Sequence, residues 1–131
     1  MKNDIEIKDD IYSYIKGSAL EKAINGELRK NKRSPNSDKE DVVIAVIANE
    51  NGQTQEAIVN VNVFVKDIYI DKQYEVNSGR CRELGKICEN LFEVFRGDSY
   101  RCTLDSQRVM EVNGANEHFI NNRLLYRNNN E

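Results

Sequence analysis

Histidine is the side chain most often used for proton transfer near neutral pH, and this chain has one, His118. His118, Ile120, Leu124 and Tyr126 share one face of a strand from about Glu117 to Arg127, with Phe119 and Leu125 on the other. A lone strand histidine reads as a partly buried polar residue rather than a general base. The carboxylates Asp38, Glu40 and Asp41 stand just before a long apolar run, where metal-dependent enzymes place acidic ligands, but Lys39 interrupts them and no second acidic or histidine set completes a site. Asp67, Asp71 and Glu75 read the same way, as solvated loop carboxylates. The three cysteines, Cys81, Cys88 and Cys102, lack CxxC spacing and are odd in number, so neither a zinc site nor a disulfide framework is expected, only reduced packed thiols. No Gly-x-Ser-x-Gly elbow, P-loop or GxGxxG fingerprint occurs. The expectation is a chain that is not an enzyme and uses no metal or cofactor.

The other concentration of chemistry is basic. Arg29, Lys30, Lys32 and Arg33 follow Leu28, a pattern that suits a short solvated edge strand, since lysines on an edge oppose unwanted pairing. The same residues could grip an acidic protein surface or a phosphate backbone. Against nucleic acid, no aromatic residues interleave with the charges.

The elements that must position these residues are legible from periodicity. Val59, Val61, Val63 and Val65 alternate with Asn60, Asn62 and Phe64, which marks a strand within Glu56–Lys66. Asp41–Asn49 is apolar on both faces, and Asn51-Gly52 between the two runs predicts an antiparallel hairpin. The valine face is expected to pack on a helix capped by Asn77-Ser78, whose stripe is Cys81, Leu84, Cys88, Leu91, Phe92 and Phe95 and which Gly97 ends. The opposite face, with Asn60, Asn62 and Phe64, is then the candidate subunit or partner contact. Before the hairpin, Asp9–Gly26 reads as a helix broken at Gly17-Ser18, with Ser18 and Glu21 forming a capping box. Ser34–Glu40 reads as a loop, Asp67–Val76 as a structured loop, and Tyr100–Val112 as β structure with a turn or bulge at Asp105-Ser106-Gln107, closed by the Asn113-Gly114 turn.

These elements predict an α+β fold, an antiparallel sheet of about four to five strands with helices packed on one face. Residues 1–131 are expected to form a single domain, with 1–8 and 128–131 frayed. Hydrophobic residues make up 39% and charged residues 31%, with one proline, which excludes disordered and membrane-embedded classes. The formal charge of −3 excludes a general attraction to polyanions and leaves room for a local basic contact. The opening Met-Lys-Asn-Asp has no apolar signal run, and no segment approaches the roughly 20 apolar residues of a membrane span, so a cytoplasmic protein is expected.

The order of these elements also resembles a known family. Ile11-Tyr12 and Ile15, then Leu20 and Ile24-Asn25-Gly26, a basic strand, Ser34-Pro35-Asn36-Ser37, Glu40-Asp41-Val42-Val43-Ile44 and Val59-Asn60-Val61-Asn62-Val63 together resemble phage or prophage tail-completion proteins, the tail-terminator and head-tail joining subunits. The resemblance covers most of residues 10–96. It implies a small α+β subunit without catalysis that forms a ring, commonly a hexamer, with copies of itself and meets tail-tube or head-connector proteins in the host cytoplasm. It carries over no site residue. The alternative reading is a small cytoplasmic binding or adaptor module of a cellular pathway, contacting nucleic acid through Arg29–Arg33.

Overall fold

The computed structural model describes residues 1–129. Helix α1 (Asp4–Ile15) begins earlier than the sequence pattern predicts because Asn3, not Asp9, supplies its cap. Asn3 Oδ1 accepts from the Glu6 amide at 2.9 Å and Glu6 Oε1 accepts from the Asn3 amide at 3.2 Å, a reciprocal pair that satisfies two free donors. Ile7 thereby joins Ile11 and Ile15 on a fully buried stripe. Fraying expected over residues 1–8 meets a further tie. The buried Gln55 side chain accepts from the Lys2 amide at 2.9 Å and donates to its carbonyl at 2.6 Å. Of the expected frayed end, residues 130 and 131 lie outside the described residues, while Asn128 and Asn129 complete a strand. The break at Gly17 falls where the sequence places it, with φ +77°, a conformation that glycine adopts without Cβ strain. Ser18 then caps the short α2 (Ala19–Ala23).

β1 (Leu28–Arg29) runs parallel to β2 (Val42–Glu50). β2 and β3 (Thr54–Lys66) form the expected antiparallel hairpin, with Val43 opposite Asn62 and Ala45 opposite Asn60. Next come β4 (Ile68–Ile70) and β5 (Gln73–Glu75), paired only with each other. Helix α3 (Ser78–Phe92), β6 (Val94–Arg96), β7 (Tyr100–Glu111) and β8 (Glu117–Asn129) complete the chain. The main sheet has the order β1-β2-β3-β8-β7-β6.

This architecture corrects the expected antiparallel sheet of four to five strands with helices packed on one face. The molecule is mostly β, 45% strand against 25% helix, and its main sheet is a curled mixed sheet of six strands beside a separate two-stranded ribbon. Three local features account for the difference. The dipeptide β1 pairs parallel, a relation too short to leave a periodic signal. Phe95 continues the α3 stripe in spacing but sits on β6, opposite Cys102, and is buried there as it would be on a helix. The ribbon turns through Asp71 and Lys72, at φ 49° and 65°, instead of the Asn-Gly pair that announces such a turn.

Val59, Val61, Val63 and Val65 are buried in one core with Ile7, Ile11, Ile15, Leu84, Cys88 and Phe92. Burying a branched or aromatic side chain contributes roughly 1.5–3 kcal/mol, so this apolar set supplies most of the drive to fold. A polar relay crosses it. Gln107 Nε2 donates to the Gly85 carbonyl at 3.0 Å and to Asn122 Oδ1 at 2.8 Å, and the buried Asn122 amide donates to the Val61 carbonyl at 3.1 Å.

The turn before β1 is tightly packed against backbone. A Cβ at Gly26 would lie 2.5 Å from the Glu40 carbonyl carbon and oxygen and from Asp41 Oδ1. Gly26→Ala is therefore expected to destabilise the protein by about 2–3 kcal/mol, read as a lower urea midpoint with unchanged m-value. An unchanged midpoint would show that these segments are not held together.

Candidate functional site

The start of β2 carries two adjacent buried carboxylates, Glu40 and Asp41. An isolated buried charge is costly, so each needs a partner and hydrogen bonds. Arg80, in the first turn of α3, donates to Glu40 through Nε at 2.6 Å and Nη2 at 2.7 Å, and to the Ala23 carbonyl at 2.6 Å. Arg33, in the crossover from β1 to β2, donates to Asp41 Oδ2 at 2.9 Å. It also forks onto Glu117 of β8 at 2.7 and 2.9 Å. Backbone donors complete the shell, with the Asn25 amide on Glu40 at 3.1 Å and the Glu27 amide on Asp41 at 2.9 Å. Burial alone pushes the Asp41 carboxyl up, but bonds from Ser37, Arg33 and Glu27 outweigh it and hold the group below the usual carboxylate range. Burial likewise disfavours the Arg33 cation, and Glu117 and Asp41 more than offset that.

These contacts decide the fate of the basic cluster. Arg33 is a structural clasp, and its guanidinium also lies over the Phe64 ring, 4.2 Å from the centroid. Arg29 reaches Glu27 at 3.2 Å, the Lys32 carbonyl and Ser34. Lys30 pairs with Asp9 at 2.8 Å and sits over the Tyr12 ring. Lys32 is exposed. Of the four cations, Arg33 is withdrawn into the fold, Arg29 and Lys30 hold solvent-exposed pairs, and Lys32 stands at the surface.

Asn60, Asn62 and Phe64 do share the outer face of β3, each half-buried. Asn62 Oδ1 accepts from Asn121 Nδ2 at 2.7 Å, and the Phe64 and Phe119 rings stand 5.7 Å apart. Their cross-strand partners on β8 are Arg123, Asn121 and Phe119. Periodicity places the three on one face, as observed; there Asn62 is bonded to Asn121 and Phe64 lies beneath Arg33.

His118 Nδ1 meets Asp67 Oδ1 at 2.6 Å, which ties β8 to the base of the β4–β5 ribbon; Asp67 donates its amide to the Asn116 carbonyl as well. Asp38 pairs with Lys66 at the surface. Among the described residues no group of three or more His, Cys, Asp or Glu side chains is arranged to hold a metal ion. Cys81, Cys88 and Cys102 are buried and unpaired.

The feature that sequence reasoning missed is the ribbon itself. Ile68, Tyr69, Ile70 and Tyr74 are 40%, 64%, 44% and 50% exposed, and the Tyr69 and Tyr74 rings pair across the strands at 5.0 Å. The available signal was the alternation Ile-Tyr-Ile and Gln-Tyr-Glu around a two-residue turn, hidden because that turn lacks glycine. A second exposed apolar group, Met1, Ile5 and Ile47, lines a shallow hollow on the β2 side with Val46 and Ala48.

Fold and site together define a small mixed-sheet domain fastened by two arginine–carboxylate clasps and presenting an aromatic ribbon. No known family model matches the chain, and no curated protein matches its sequence. Among the described residues no helix is long and apolar enough to cross a membrane.

Arg33→Ala leaves Asp41 and Glu117 buried without their counter-charge, and a loss of about 3–5 kcal/mol is expected. Arg33→Lys should recover only part of it, because an ammonium cannot fork onto Glu117 while holding Asp41. Since the Asp41 carboxyl is depressed, its contribution is present above the unfolded value and lost as pH falls below about 4. Urea titrations across that range should show the wild-type acid loss and its reduction in Asp41→Asn. For the thiols, burial pushes Cys88 up to about 12. That stabilisation is complete below the unfolded thiol value and declines as pH rises from about 9 towards 12. Thiol reagents at pH 8 should label the folded protein far more slowly than the urea-unfolded chain; equal rates would contradict the packing.

Proposed function

We propose that this chain is a non-catalytic structural subunit of a phage- or prophage-derived tail. It works in the host cytoplasm, assembling with copies of itself into a ring at the head-tail junction or tail end and meeting tail-tube or head-connector proteins there. The observation that carries this reading is the β4–β5 ribbon. A two-stranded ribbon is marginal alone in water, and this one presents Ile68, Tyr69, Ile70 and Tyr74 to solvent. Aromatic side chains with an apolar body and a polar tip are favoured in protein contacts.

The second apolar group supports a ring in particular. Ring closure needs a heterologous contact, in which one patch of each copy meets a different patch of the next. The ribbon follows the Lys66 end of β3, whereas Ile5 and Ile47 lie further along the β2 edge. The ribbon of one subunit seated on the Met1-Ile5-Ile47 hollow of its neighbour would repeat around a ring.

Native mass spectrometry tests this over a concentration series, with and without purified tail tubes. Wild type is expected to form closed oligomers, and Tyr69→Ser/Tyr74→Ser and Ile5→Ser/Ile47→Ser should each be monomeric. An equimolar mixture of those two variants retains one good contact per pair and should stop at the heterodimer. A wild type that stays monomeric and joins no tail would overturn the reading. Oligomers unaffected by either double substitution would move the contact elsewhere.

A further inference from the structure

From Ile87 to the end of the sequence there are five arginines and no lysine, and register places all five on the outer face of β6, β7 and β8. Arg96 is opposite Arg101, and Arg101 is opposite Arg127. Arg123 and Arg108 continue on the same face, opposite Asn60 and Asn121 respectively. That face is the one away from Cys102, Ile120, Leu124 and Tyr126, which are buried, and all five arginines are exposed.

We propose that this arginine face binds the phosphate backbone of nucleic acid. Like charges directly opposite one another on neighbouring strands destabilise a sheet. The row Arg96-Arg101-Arg127 is therefore a standing cost that an anionic ligand would relieve. Arg127 has a carboxylate, Glu56, at 3.6 Å, and Arg123 has Asp105 at 3.4 Å, both pairs being solvent-exposed. Arg96, Arg101 and Arg108 have no ion-pair partner among the described residues. The row lines an open basin of about 820 Å³ with Ser99, Asn129, Glu56 and Asp98, whose two carboxylates keep the site from being uniformly positive.

Residue type and extent identify the ligand. Arginine presents a planar fork that matches phosphate oxygens, whereas lysine is a point charge. The row crosses three strands, about 10 Å at the spacing of paired strands. Arg123 lies four residues from Arg127 along β8, roughly 13 Å at the strand rise. A track of that length fits successive phosphates of a polymer better than a single anion. This inference stands independently of ring assembly, and it places the nucleic-acid contact on the sheet face rather than at Arg29–Arg33, where Arg33 is held by the buried Asp41 and Glu117.

The test measures fluorescence anisotropy of a labelled oligonucleotide, single-stranded and as duplex, between about 50 and about 200 mM salt. Wild type should bind one or both forms at low salt, with affinity falling as salt rises. Arg96→Gln/Arg101→Gln/Arg127→Gln should weaken binding at least about tenfold and reduce the salt slope by about 3, near 1 per phosphate contact. Its thermal unfolding should match or exceed wild type, since repulsion is relieved, which separates lost binding from lost folding. Arg29→Gln/Lys32→Gln should bind as wild type. No binding at the lowest salt, or equal binding by the triple variant, overturns the proposal. So does competition by polyglutamate as effective as by unlabelled oligonucleotide, which would make the ligand an acidic protein segment.

Discussion

The structure depends on neutralising Glu40 and Asp41 where β2 begins. Two neighbouring carboxylates removed from water would each cost several kcal/mol if left alone. Their partners come from three separate places: Arg33 and Ser37 in the crossover, Arg80 in α3 and the Asn25–Glu27 turn, while Arg33 also holds a third carboxylate, Glu117 of β8. Satisfying the pair thus fixes the parallel β1–β2 pairing, the seat of α3 and the approach of the crossover to β8 together. Replacing such a network by apolar residues can leave stability unchanged. What the charges add here is position, because a fork on Glu117 and a single bond to Asp41 are met by one placement of Arg33.

This also explains which parts of the fold the sequence discloses. Val59 to Val65 are visible because their cause is local, a period of two; the β2–β3 turn falls at Asn51-Gly52 as expected, although neither residue takes the positive φ of a tight Asn-Gly turn. The Cys81–Phe92 stripe is visible for the same reason, and overruns at Phe95 because burial looks alike in a helix and in a strand facing one core. The clasps are silent. Arg33 and Glu117 are 84 residues apart, and nothing near Arg33 in sequence separates it from the exposed Lys32 beside it. Composition alone therefore made one basic cluster of residues that the fold divides between structure and surface. The arginine row was equally hidden, since Arg96, Arg101 and Arg127 meet only through strand register.

The outer face shows how far alternation carries. It put Asn60, Asn62 and Phe64 on the side away from the core, which is where they lie, but it said nothing of their lateral neighbours. Asn121 satisfies Asn62, and Arg33 covers Phe64. Further along the same face Arg96, Arg101 and Arg108 are exposed without an ion-pair partner among the described residues, and off the face the ribbon exposes Tyr69 and Tyr74.

The ribbon's usefulness follows from how its base is held. An isolated pair of three-residue strands would sample many directions, and ordering it on binding would consume much of the contact energy. Here Asp67 is fixed on both sides, its amide to the Asn116 carbonyl and its carboxylate to His118, both at the β7–β8 end of the sheet. Beyond that anchor the strands pair only with each other, stiffened by the Tyr69–Tyr74 contact and a turn whose two positive φ values match the natural strand twist. Direction is set at the base while the aromatic faces stay free. His118 thus has a role that does not depend on proton transfer: through Asp67 it fixes the direction in which the exposed aromatic ribbon leaves the sheet.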